Sequence, residues 1–69
     1  MKTAQERFRS NLKRLVDRSG KSIDKIGLES DISKSTISRI LAGKLNASIN
    51  TLQKIADYFD IDPMDLLKP

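Results

Sequence analysis

Apolar residues recur along this chain at spacings of three and four, in five runs separated by short polar breaks. The first run, Phe8, Leu12, Leu15 and Val16, falls on one face of a helix. Thr3-Ala4-Gln5-Glu6 precedes it with the offset of a capping box, and Ser19-Gly20 closes it, Gly20 supplying the left-handed residue. Ile23 and Ile26 predict a second helix; Ile37, Ile40 and Leu41 predict a third. Ile49, Leu52, Ile55, Ala56 and Phe59 give an amphipathic fourth, and Met64, Leu66 and Leu67 a short fifth. No segment alternates with the period of a strand. The predicted fold class is therefore all-α, a compact five-helix domain occupying residues 1–69 as a single unit.

The breaks carry as much information as the runs. Between the second and third helices stands Ser30-Asp31-Ile32-Ser33, a turn signal followed by an N-cap, since a Ser hydroxyl accepts from an unpaired amide of the next helix. If Asp31 takes the left-handed conformation, Ile32 folds back onto Ile26 in a Schellman-type stop. Asp enters that region more readily than most residues with a β-carbon, though less readily than Gly. Gly27 sits inside the second helix, where it costs about 1 kcal/mol relative to Ala. Close approach of the third helix across that point accounts for it. Two helices so joined, over residues 22–42, describe a helix-turn-helix. Further on, Gly43 stops the third helix, Lys44-Leu45-Asn46-Ala47 forms a loop, and Ser48 caps the fourth helix. Asp60-Ile61-Asp62-Pro63 repeats the grammar of the central turn, with Asp62 as cap and Pro63 at the first helical position.

Charge is distributed unevenly over this frame. Residues 1–44 hold eleven Lys and Arg against five Asp and Glu, whereas residues 45–69 hold two against four. The basic part contains the third helix, which implies a polyanionic partner on that side. Arg7, Arg14 and Arg18 fall on one flank of the first helix, with Arg9 and Lys13 elsewhere on its polar surface, where plain solvation is a sufficient account of each. The chain has no His and no Cys, which removes the common nucleophile–base pairs, zinc sites and disulfides. Asp57 with Asp60 and Asp62 with Asp65 have simpler roles at helix ends or on a solvated face. No enzyme, cofactor or metal is expected. Three aromatics, Phe8, Tyr58 and Phe59, are not interleaved with basic residues, so a stacking platform for single strands is not expected either. No apolar run reaches the length of a signal-peptide core or a membrane span, and a cytoplasmic protein with no membrane partner is expected.

Residues 22–44 resemble the helix-turn-helix of the Cro and repressor-type (XRE-like) DNA-binding proteins of lambdoid phages and their bacterial relatives. Gly27 matches the small residue of that motif, Ile32, Ile37 and Ile40 its core, and Thr36-Ile37-Ser38-Arg39-Ile40 its recognition helix. Residues 48–67 are similar to the last two helices of the same lambda-repressor-like domain. Asp31 stands where the family usually has Gly, and Ile23 where it often has a DNA-touching Gln. The resemblance implies that helix 34–42 reads the major groove of double-stranded DNA, placing Lys34, Ser35, Ser38 and Arg39 at base edges. Arg39 suits guanine O6 and N7 bidentately, and Thr36 offers a methyl to thymine if it faces outward. Ser22, Lys44 and Asn46 match positions where the family grips phosphates. For each Ser, capping or plain solvation is an equal account.

The expectation is a sequence-specific transcriptional regulator of repressor type, binding as a homodimer to a palindromic operator. Leu45, Ile61, Met64 and Leu67 are the apolar candidates for the dimer contact or, equally, for the core. The alternative is a protein-interaction module on the same fold, antitoxin-like or adaptor, which a large exposed apolar patch on the third helix would favour.

Overall fold

The computed structural model describes residues 2–69. Four α-helices follow one another: α1 (Ala4–Ser19), α2 (Ile23–Ser30), α3 (Lys34–Leu41) and α4 (Ile49–Phe59). A five-residue 3-10 turn, Pro63–Leu67, ends the chain, and no strand occurs among the described residues. α2 packs on α3 and α4, α1 packs on α3, and the 3-10 turn closes over α1 and α4.

The caps fall where the hydroxyl and carboxylate side chains predict. Thr3 and Glu6 form the full capping box of α1; Ser22, Ser33 and Ser48 cap α2, α3 and α4. Each accepts from an amide that the first helical turn leaves unpaired. All four α-helices stop at a left-handed residue: Gly20 (φ 68°), Asp31 (φ 60°), Gly43 (φ 77°) and Asp60 (φ 56°). The Asp residues are the two without a glycine's freedom, and both are followed by Ile. In these two, the Ile amide bonds back to a helix carbonyl, Ile32 N–H to Gly27 O and Ile61 N–H to Ala56 O, both at 3.0 Å. This six-residue closure turns Ile32 into the core, where it is buried with Ile26.

Phe8, Leu12, Ile26, Ile32, Ile37, Ile40, Ile55, Ala56 and Leu66 form that core. Each large aliphatic or aromatic member contributes about 1.5–3 kcal/mol by leaving water. The α2–α3 crossing is tight at Gly27: a β-carbon there would lie 2.7 Å from Ile32 O and 3.3 Å from Lys34 N.

Three expectations need correction. The fifth element is a 3-10 turn and not an α-helix. Asp62 Oδ1 accepts from Met64 N–H at 2.9 Å and Asp65 N–H bonds Asp62 O at 2.9 Å, an i to i+3 closure. Lys68 then has to be extended because Pro69 follows it (ψ 147°), so only five residues remain for the element. Its carbonyls are taken up from outside: the buried Asn11 donates through Nδ2 to Leu66 O (2.8 Å) and Lys68 O (2.9 Å), and accepts from Arg14 through Oδ1. Second, Ile49 and Met64 are exposed (80% and 66%), because each sits in the first turn of its element with its side chain beyond the edge of the core. Third, α3 ends at Leu41, with Ala42 as its cap, one residue before the predicted boundary.

Candidate nucleic-acid interface

α3 divides sharply into two faces. Ile37 and Ile40 are buried and Leu41 half-buried, while Lys34, Ser35, Ser38 and Arg39 all stand exposed on the opposite side. Ser35, Ser38 and Arg39 make no side-chain hydrogen bond or ion pair among the described residues, so their donors and acceptors are free for a ligand. Lys34 is engaged, its Nζ 3.0 Å from Asp24 Oδ1 in an exposed ion pair across the α2–α3 crossing. Thr36 is half-buried and its hydroxyl lies 2.7 Å from that of Ser33, which itself accepts from Thr36 N–H at 3.1 Å. The Thr36 hydroxyl is therefore engaged in the cap of α3, and the residue is less exposed than Lys34, Ser35, Ser38 and Arg39.

Around α3 lie the candidates for a phosphate grip. Ser22 caps α2, its Oγ accepting from Lys25 N–H at 3.1 Å, at a helix start whose first-turn amides are suited to an anion. Lys44 and Asn46 are exposed in the loop after α3. That loop begins in a Schellman closure, with Lys44 N–H bonding Arg39 O at 2.9 Å and Gly43 left-handed at φ 77°. Its far end is fixed by a residue with no signal in the apolar pattern. Gln5 of α1 binds Ala47 with both ends of its amide, Nε2 to Ala47 O and Ala47 N to Oε1, each at 2.9 Å.

Lys21, next to Ser22, is drawn away from this surface. Its ammonium bonds Tyr58 Oη (2.9 Å) and Glu29 Oε1 (3.2 Å), and Tyr58 also donates to Glu29. The Tyr58 bond, and then that to Glu29, hold Lys21 above its ordinary pKa. The same Tyr58 hydroxyl, followed by Lys21, holds the Glu29 carboxyl below its ordinary value. Lys54 likewise serves the turn and not the free face, its Nζ 3.1 Å from Asp31 O and 3.7 Å from Asp31 Oδ2.

A cap-to-cap helix pair, a left-handed turn, a small residue at the crossing and a polar second helix are thus assembled in one unit. The helix-turn-helix family model matches residues 12–66, four-fifths of the chain. This chain belongs to the Cro/XRE-type helix-turn-helix family. No curated protein and no solved structure matches it significantly. The family is one of DNA-binding regulatory domains, and the all-helical fold accords with it. Among the described residues no cluster of acidic groups suits a metal ion, and no helix is long and apolar enough to cross a membrane.

The two faces of α3 are legible in its apolar spacing, but what holds the helix in place is not. Gln5, Asn11 and Asp24 each act across long chain separations or between elements. Their types, Gln, Asn and Asp on a polar flank, are indistinguishable in one sequence from ordinary surface residues.

Proposed function

We propose that this Cro/XRE-type domain is a cytoplasmic, sequence-specific regulator, acting as a repressor by laying α3 in the major groove of duplex DNA. One observation carries the reading: α3 presents Ser35, Ser38 and the unpaired guanidinium of Arg39 on a single exposed face, with Lys34 at its start and Lys44 just past its end. Arg39 reads a guanine; Ser35 and Ser38 supply adaptable hydrogen bonds at base edges. Thr36 serves the cap of α3 and through it the register of the other four. Ser22, Lys44 and Asn46 hold phosphates on either side and fix that register.

The competing protein-interaction role loses its main support. Among the described residues the exposed large apolar side chains are Leu28, Ile49 and Met64, none of them on α3. Two copies on a palindromic site, one helical turn between half-site centres, extend the few base pairs that one α3 can read. Of the apolar residues considered for that contact, Met64 stands clear, whereas Leu45, Ile61 and Leu67 pack half-buried against the core.

Selection of bound sequences from a random duplex pool tests the reading directly, reporting base preference and half-site spacing together. On the selected site, Arg39→Ala costs about 1–3 kcal/mol and flattens preference at one position per half-site. Lys44→Ala weakens all duplexes equally and makes the log–log salt slope shallower by about 0.9. A pool that yields no preferred sequence, or an affinity indifferent to salt, refutes it.

A further inference from the structure

Two residues of α1 that lie outside the matched residues 12–66, Gln5 and Arg9, stand one helical turn apart on the same flank and meet the two ends of the loop after α3. Gln5 grips Ala47 as described. Arg9 lies over Gly43: a β-carbon at Gly43 would fall 2.6 Å from Arg9 Nη1 and 3.5 Å from its Cζ. A side chain at position 43 would displace the guanidinium from this place, and Gly43 is favoured in any case by its positive φ. The half-buried Arg9 has no carboxylate within 4.0 Å among the described residues. The nearest acidic group on its own helix, Glu6, is turned back on the helix start, its Oε1 accepting from Thr3 N–H at 3.0 Å.

A permanently charged guanidinium with no carboxylate partner therefore lies beside Gly43, immediately before Lys44. We infer that Arg9 is a further phosphate ligand of this domain, reaching the DNA backbone beside Lys44, and that Gln5 is the positioning residue that keeps the loop in register with it. The inference rests on the DNA-binding reading and extends the interface from the helix-turn-helix onto α1. An Arg suits the role because its planar fork gives two parallel bonds to phosphate oxygens. A phosphate contact carries charge but no base information. Arg9 thus adds affinity for every duplex and leaves sequence preference untouched.

The test compares wild type, Arg9→Gln, Gln5→Ala and Lys44→Ala on the selected duplex and on an unrelated duplex, between about 50 and 200 mM salt. Thermal melts of each variant check folding. Arg9→Gln should weaken both duplexes by the same factor, and its affinity should fall about 3.5-fold less than that of wild type across that salt range, the value for one lost phosphate contact. Gln5→Ala, which keeps every charge, should lower affinity while keeping more of the wild-type salt slope than Arg9→Gln does. If Lys44→Ala shows its shallower slope and Arg9→Gln keeps the wild-type affinity and slope, Arg9 is no ligand and the inference falls while the DNA reading stands. If wild type binds neither duplex, the DNA reading itself fails and takes this inference with it.

Discussion

Gly27→Ala is the most direct probe of how the motif is held together. On helix propensity alone the change stabilises α2 by about 1 kcal/mol, since Gly is the costlier residue inside a helix. The tertiary structure reverses the sign. The new methyl would sit 2.7 Å from Ile32 O, 3.3 Å from Lys34 N and 3.5 Å from Lys34 Cα. All three are backbone atoms, so no rotamer change relieves the contact, and the turn and α3 must shift together. Overpacking of this kind costs typically about 1–3 kcal/mol, and rigid neighbours on both sides of the turn place it at the upper end. After the propensity gain, a net loss of about 2 kcal/mol remains, which for a domain of this size lowers the melting temperature by about 8–16 °C. Circular-dichroism melts, with urea titrations to confirm a constant slope, measure it. Gly20→Ala is the control: nothing lies within 4 Å of its added carbon, so only left-handed strain operates. A Gly27→Ala protein as stable as wild type, or more so, would show that α2 and α3 do not approach this closely, and the crossing would have to be redrawn.

Three further outcomes follow from the caps and polar clusters. Asp31→Gly should stabilise by up to about 1 kcal/mol: it relieves left-handed strain and forfeits only an exposed ion pair, since Lys54 keeps its bond to the residue-31 carbonyl. A lowered urea midpoint would contradict that. Asn11→Ala should cost about 1–3 kcal/mol, because it strands the carbonyl of the buried Leu66 and releases that of Lys68; a change under about 0.5 kcal/mol would rule out the clamp. Stability should also fall in acid. The Glu6, Glu29 and Asp65 carboxyls are all held below their ordinary values of 4.5, 4.5 and 3.8, by Thr3, by Tyr58 and then Lys21, and by Lys68 respectively. Unfolding raises these pKa values and takes up protons, so the contribution is complete above about pH 5 and is lost as pH falls through the folded values. Tyr58→Phe should flatten this loss in melts between about pH 6 and pH 3, and an unchanged profile would remove Glu29 from the account.

Much of the fold is legible in the residues themselves because its signals are local. A hydroxyl or carboxylate two or three positions before a helix amide, a residue able to turn left-handed, and apolar spacing of three and four all act within six residues. The caps at Thr3, Ser22, Ser33, Ser48 and Asp62 and the paired stops at Asp31 and Asp60 are of this kind. The last element departs from the predicted helix because the same cap and Pro63 open an α-helix or a 3-10 turn alike; its length is set by Pro69 and by Asn11, fifty-five residues from Leu66.

By itself, then, the sequence determined the four α-helices, where they start and, to within a residue, where they stop, and that the third carries an apolar face and a polar one. Only the tertiary structure decided which polar side chains remain available. It set Lys34 on Asp24, Thr36 on Ser33 and Lys21 on Tyr58 and Glu29, left Ser35, Ser38 and Arg39 free, and brought Gln5 and Arg9 of α1 onto the loop beside Lys44. The physical reason is range. Backbone hydrogen bonds and helical periodicity are fixed by near neighbours in the chain, whereas a surface side chain finds its partner across helices whose relative placement follows from core packing alone.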